Sequence, residues 1–325
     1  MATTRTREDF SSNPVVSSLP AYIQENHDMI LRNFALVGTA TRSRIGIQTG
    51  VKGKAYLNYI NIEPTLQDGS DCGFNASGAI TLTQRTIETA LIKAQDDICP
   101  KKLIGKYAEY LVRIAATEND LPFEQYIVDG LVRELNKKIE VLIWQGDKTK
   151  TSDANLKWIN GFLKQFSTEG SYLAANMTGT NALAHGTSAY NAILAVYMAM
   201  PEETLDRGGM IFVSPAIYRS FLQDMVAKNY FHYSGPQDSA PEEFVFPGSD
   251  VKVVKTPGLA GTTLPTLVGT FADNLVYGCD MENDEEVIDI WWSQDDRVFK
   301  YDVEWNSGVA YHFPNQVVLA EIAAS

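Results

Sequence analysis

Apolar positions in this chain fall into a long helical stripe, several short blocks of helix or strand period, and one stretch with neither. The stripe is residues 119–146, NDLPFEQYIVDGLVRELNKKIEVLIWQG, where Phe123, Ile127, Leu131, Leu135, Ile139 and Leu142 recur at three- and four-residue steps. Asn119 or Asp120 can cap its start, with Pro122 in the first turn, and Gly146 supplies a stop. About 25 residues at 1.5 Å each make a rod of roughly 37 Å. Gly130 weakens that helix in isolation, so tertiary packing must hold it. A shorter helix is predicted over 19–36, with Tyr22, Ile23, Met29, Ile30 and Phe34 on one side and Gly38 as its end.

A compact α/β region follows from about residue 181. Tyr190, Ile193, Leu194, Tyr197 and Met198 form an amphipathic helix that Pro201 ends. MIFVS (210–214) reads as a buried strand. Ser214 then caps a helix with Pro215 at its first position and Ile217, Phe221, Leu222 and Met225 inward. VKVVK (251–255), LVGTF (267–271) and NLVYG (274–278) read as strands, as do VIDIWW (287–292), RVFKYDVEW (297–305) and VAYHF (309–313). Asn306-Ser307-Gly308 between the last two predicts a hairpin turn.

The stretch without a sustained period is residues 39–78. It holds Gly46, Gly50, Gly53, Gly69, Gly73 and Gly78 and two β-rich pieces, IGIQ and YLNYINI. The pattern predicts an extended hairpin made by those two pieces, too thin to own a core and in need of cover from something else. AITLTQR after it reads as an edge strand, with Ile80 and Leu82 alternating with polar residues. Residues 1–18, polar and rich in Ser and Thr, read as a flexible arm.

Composition changes this picture little. With 325 residues, 45% hydrophobic and 21% charged, the chain can bury a sizeable core in about two domains. A net charge of −13 argues against a dedicated nucleic-acid binder, though not against a protein that encloses nucleic acid. Cys72, Cys99 and Cys279 stand far apart, which predicts reduced thiols and no zinc site. The N-terminus shows no apolar core of a signal peptide and no run is long enough to cross a bilayer, so the expectation is a soluble protein made inside the cell.

Known catalytic patterns do not match. His27, His185, His232 and His312 lack metal-ligand spacing with one another or with Cys, and GVKGKA (50–55) misses a phosphate loop at Gln48 and Ala55. The acidic run DMENDEE (280–286) lacks the spacing of a calcium loop and reads as a solvated turn. No catalytic residue, metal or cofactor is predicted. Arg42, Arg44, Lys52 and Lys54 put four cations in 13 residues of an acidic protein. They read either as a solvated loop or as a cationic hairpin that docks on an acidic neighbour.

The order of these parts resembles the major capsid family of tailed bacteriophages, whose Hong Kong 97-like fold is of the α+β class. The resemblance is carried by GFNASGAITLTQRTIETALIKAQDDICPKKLIGKY (73–107), PFEQYIVDGLVRELNKKIEVLIWQGD (122–147), GFLKQ (161–165), GGMIFVSPAIYRSFLQDMV (208–226) and RVFKYDVEWNSGVAYHFPNQVVLAE (297–321). It implies an N-terminal arm (1–38), an extended hairpin or E-loop (39–78), a P-domain (79–180 and 291–325) with its spine helix over about 120–146, and an A-domain (181–290). It also implies a structural subunit, not an enzyme, that assembles with itself as pentamers and hexamers of an icosahedral shell around double-stranded DNA, without reading its sequence.

On that reading the hairpin of one subunit crosses the spine helix and P-domain of the next, and Arg42, Arg44, Lys52, Lys54, Tyr56 and Tyr59 are the inter-subunit contact candidates. Only about 18 residues precede the first predicted helix, so a separate scaffolding protein is expected, together with a portal and decoration proteins. The expected place is the virion, after assembly in the host cytoplasm, with no membrane partner. Lys52 and Lys54 lie where some members cross-link, but nothing here supports that chemistry. Two other readings stand beside this one: an encapsulin-type compartment shell with the same fold, and a cytosolic hydrolase using Cys72 or Cys99 with a histidine.

Overall fold

A computed structural model describes residues 40–66, 78–98, 123–169, 173–174, 188–228, 243–262, 266–280, 287–296 and 298–321. The arm and helix expected over residues 1–38 lie outside these, as do the cap at Asn119 or Asp120 and residues 67–77 of the expected hairpin.

The elements in chain order begin with strands β1 (Gly46–Gln48), β2 (Lys54–Glu63), β3 (Ala79–Glu88) and β4 (Ala90–Ile98). Helices α1 (Phe123–Gln145) and α2 (Phe162–Glu169) follow, then β5 (Leu173–Ala174), α3 (Ser188–Ala199), α4 (Glu202–Asp206), β6 (Gly209–Val213) and α5 (Pro215–Ala227). The rest is strand: β7 (Glu243–Val245), β8 (Lys252–Lys255), β9 (Thr266–Phe271), β10 (Leu275–Gly278), β11 (Val287–Ser293), β12 (Val298–Tyr311) and β13 (Val318–Glu321).

Two layers form around α1. Its stripe, Leu135, Ile139, Leu142 and Ile143, is buried against Ile92 of β4 and Val303 and Trp305 of β12, and Leu131 is half-buried beside them. The sheet beneath is built on β12, which pairs antiparallel with β4 and β11 along its first ten residues and with β10 along its last four, while β1 runs parallel to β10. Trp144, fully buried, lies against Phe162 and Phe212 with ring centroids 5.3 Å away in both cases. Just past the helix end only glycine fits at Gly146, since a Cβ there would sit 2.6 Å from the carbonyl oxygens of Leu142 and Ile159.

The second body is a six-stranded sheet in the order β5-β13-β9-β6-β8-β7, with α3 and α5 packed together on it. Ser214 caps α5 as predicted, its hydroxyl accepting from the Ile217 amide at 3.4 Å, and Ile217, Phe221 and Met225 are buried. Asp224 of α5, itself buried, accepts from the Tyr190 amide in the first turn of α3 at 2.9 Å, which locks the two helices together.

Strand pairing departs from the sequence reading in three places. IGIQ does not pair with YLNYINI; it is β1, zipped in parallel to β10. The partner of β2 is β3, in register from Lys54 opposite Glu88 to Glu63 opposite Ala79, so the expected boundary at 78 falls inside one ribbon. Asn306-Ser307-Gly308 is not a turn, because β12 runs straight through it. Gly308 pairs with Gly278 there, and a Cβ on Gly308 would overlap the Glu88 carbonyl. Close backbone approach, not chain reversal, is what the glycine provides. β13 joins the six-stranded sheet next to β9.

Candidate functional site

The β2–β3 ribbon is the part of the described molecule that its own body leaves half-covered. Residues opposite each other on paired strands share a face. One face therefore carries Tyr56, Asn58, Ile60 and Ile62 of β2 with Thr86, Gln84, Leu82 and Ile80 of β3. Its outer half is apolar and open to solvent: Ile60 and Ile62 are 55% and 62% exposed, Leu82 and Ile80 70% and 73%. Leu66, just beyond β2, is almost wholly exposed. Large apolar side chains gathered on one exposed face mark a surface meant to be covered.

The other face is fixed to the body near the ribbon's root. Leu57 and Ile87 are buried in a small cluster with Val51, Val276 and Ala310. Farther out, the Tyr59 ring meets Phe313 edge-on at 4.1 Å, and the Arg85 guanidinium lies 3.9 Å above the Tyr311 ring. Between them in sequence, His312 is held below the ordinary histidine pKa by burial and by the nearby Arg85 charge.

The root itself is a polar joint. Gly50 and Gly53 adopt φ of +77° and +82°, conformations that let the chain turn from β1 into β2. Thr89, the single residue between β3 and β4, donates its amide to the Gly53 carbonyl at 2.8 Å and its hydroxyl to the Val51 carbonyl at 3.1 Å. Glu88 is shared by Lys54 at 2.6 Å and Lys148 at 3.2 Å. Its carboxyl is held below the ordinary range, first by the hydrogen bond from Lys54 and then by that from Lys148.

The six contact candidates separate on this geometry. Arg42 is buried in its own chain, donating to Asn136 Oδ1 on α1 at 3.0 Å and lying 5.5 Å from the Tyr277 ring centroid. It fastens the chain to α1 within the subunit. Arg44 reaches Glu243 at 3.3 Å, whose carboxyl is held below the ordinary range first by the hydrogen bond from Lys252, against the effect of burial, and then by that from Arg44. Lys52 faces the buried Asp280 at 3.8 Å and Lys54 faces Glu88. Tyr59 packs on Phe313, whereas Tyr56, 59% exposed, stands on the open face. Lys52 and Lys54 thus hold the ribbon's root, Arg42 and Arg44 fasten the segment before β1 to the body, and the apolar residues Ile60, Ile62, Ile80 and Leu82 form the open surface. Alternation in AITLTQR carried that signal, but reading β3 as a separate edge strand hid it.

Of the residues considered for chemistry, His27, His185, His232, Cys72, Cys99 and 281–286 lie outside the described residues. Among the described residues no three His, Cys, Asp or Glu side chains group as metal ligands, and no helix is long and apolar enough to cross a membrane.

The whole arrangement has close parallels among solved structures. The satellite phage P4 procapsid that includes the size-determination protein Sid superposes with a TM-score of 0.59 at 12% identity, covering 95% of this chain and 97% of that one. The cyanophage A-1(L) capsid gives 0.57 at 13% identity over 90% and 93%, and the capsid of a native GTA particle, computed with C5 symmetry, gives 0.56 at 10% over 88% and 91%. The fold is that of phage capsid proteins. The α+β architecture that the resemblance implied is therefore present among the described residues. No family model and no curated protein sequence matches it.

Proposed function

We propose that the chain is a major capsid subunit that assembles with itself into an icosahedral head around double-stranded DNA, a structural role with no catalytic step. The observation that carries this reading is the open apolar face of the β2–β3 ribbon, on a fold shared with capsid proteins. A two-stranded ribbon is marginal alone, and among the described residues this one is held by its root and by one clasped face. Ile60, Ile62, Ile80 and Leu82 recover about 1–2 kcal/mol each if covered by the next copy, enough to make docking favourable when repeated around a shell. The acidic balance of the chain suits a wall that encloses DNA without gripping it. Scaffolding and portal partners, and assembly in the host cytoplasm, belong to the same proposal.

Tyr59 and Thr83 are opposite in register, so joining them through a short Gly-Asn turn removes the outer ribbon and keeps its root. The expected outcome is a folded subunit, with a single cooperative thermal unfolding transition, that forms no particles in negative-stain micrographs. Normal shells from that variant would rule the proposal out.

A further inference from the structure

Helix α1 and the β4–β12–β11 sheet form a two-layer block whose outer surfaces face opposite ways, because the stripe of α1 packs on the sheet's inner side. Those two surfaces carry opposite charge. On the described part of α1's solvent face stand Arg133, Lys137 and Lys138, all exposed, around one described carboxylate, Glu134, bound to Lys137 at 2.6 Å. On the sheet, Trp291, Lys300 and Asp97 stand in one row across the three strands, with Trp291 46% exposed. Just beyond β11, Asp295 and Asp296 are added, both exposed, so that with Asp97 three carboxylates surround one ammonium. Lys300 is bound to Asp296 at 2.5 Å, and its pKa is raised by that bond first, with Asp97 and Asp295 adding to it.

A block that is basic on one side and acidic on the other repels its own kind face to face and attracts it head to tail. Head-to-tail contacts are heterologous, and they close into rings when the rotation between copies allows. We propose that the acidic, Trp291-bearing end of the β4–β12–β11 sheet docks on the basic face of α1 in the next copy of this chain. This contact rests on the shell reading and is separate from the ribbon's apolar face. Trp291 offers a ring face to a lysine or arginine, and the carboxylates beside it supply charge-assisted partners. Such a contact sets register and speeds encounter more than it adds affinity, since exposed ion pairs are individually weak.

Charge reversal tests it. One variant carries Lys137→Glu and Lys138→Glu, the other Asp295→Lys and Asp296→Lys, with thermal unfolding confirming that both remain folded. Particle formation is followed by light scattering and negative-stain microscopy at low and high salt. Each variant alone is expected to assemble roughly tenfold or more slowly than the unsubstituted chain at low ionic strength, with the gap narrowing as salt screens the charges. Mixed one to one, the two variants again offer opposite faces to each other, and a chain carrying all four substitutions does the same, so both cases should regain the original rate. Equal rates for the unsubstituted chain and both variants overturn this contact alone. Slow assembly that neither mixing nor combination restores overturns it too, since the faces then meet something else, a basic partner protein or nucleic acid among them. Absence of particles from the unsubstituted chain removes the shell reading and this contact with it.

Discussion

Gly308 shows how much one missing Cβ can decide. It faces Gly278 across the β10–β12 pair, and the space both leave is filled by the ribbon's root: the Glu88 carbonyl lies against Gly308, and Ile87 Cδ1 lies 2.5 Å from where a Cβ on Gly278 would be. Gly308→Val would push that carbonyl away or bend β12, a form of overpacking that costs about 1–3 kcal/mol. Thermal unfolding should show the loss, and an unchanged midpoint would mean the crossing is looser than these distances. The dipeptide Ser-Gly after Asn is a strong turn signal in isolation, which explains why the sequence pattern suggests a hairpin here. A glycine needed for close approach and one needed for a turn look alike until the crossing strand is in place. Arg42 is the same kind of case, since nothing local distinguishes a cation destined for Asn136 and the Tyr277 ring from one left in water.

At the scale of elements, the ribbon is a lever set by its joint. Glu88 ties β3 to Lys54 of β2 and to Lys148 beyond the end of α1, so its ionisation bears on how the ribbon stands on the body. Its folded pKa lies below the ordinary 4.5. The stabilising contribution is therefore complete above that value and is lost as pH falls through the depressed one. Because the pair is partly exposed and screened, the expected effect is small, a midpoint about 1–2 °C lower for Glu88→Gln at neutral pH. That difference should vanish as both proteins are brought well below pH 4.5, and a gap that persists in acid would show that Glu88 acts by packing alone. The long stripe of α1, the Ser214-capped helix and the buried strands β6, β8 and β9 were readable because a single period or cap specified each. The ribbon's pairing was not. β2 and β3 are separated by 15 residues, and β3 runs into β4 after one intervening residue, so local pattern could not tell which neighbour each strand would join.

At the scale of the whole molecule, the cores of the body are closed while one face of the ribbon stays open. The cores beneath α1 and beneath α3 and α5 are closed by residues of the same chain, and the polar groups at the ribbon's root have partners there. What is left over is a flat apolar face carried away from the body, which no folding of this one chain covers among the described residues. If that face is the docking surface, its apolar character matters and its β-structure alone does not suffice. Ile60 and Leu82 are directly opposite, so Ile60→Lys with Leu82→Glu replaces two apolar side chains by a cross-strand ion pair that keeps the ribbon paired. Since both positions are exposed in the single chain, unfolding should change by no more than about 0.5 kcal/mol. Particle formation should nevertheless be lost, because the next copy would have to bury two charges where it had buried two hydrocarbons. Particles of normal size and yield from this variant, with the ribbon intact, would show that the ribbon's role lies in its backbone edges or its tip, and the apolar face would lose its claim to be the contact that builds the shell.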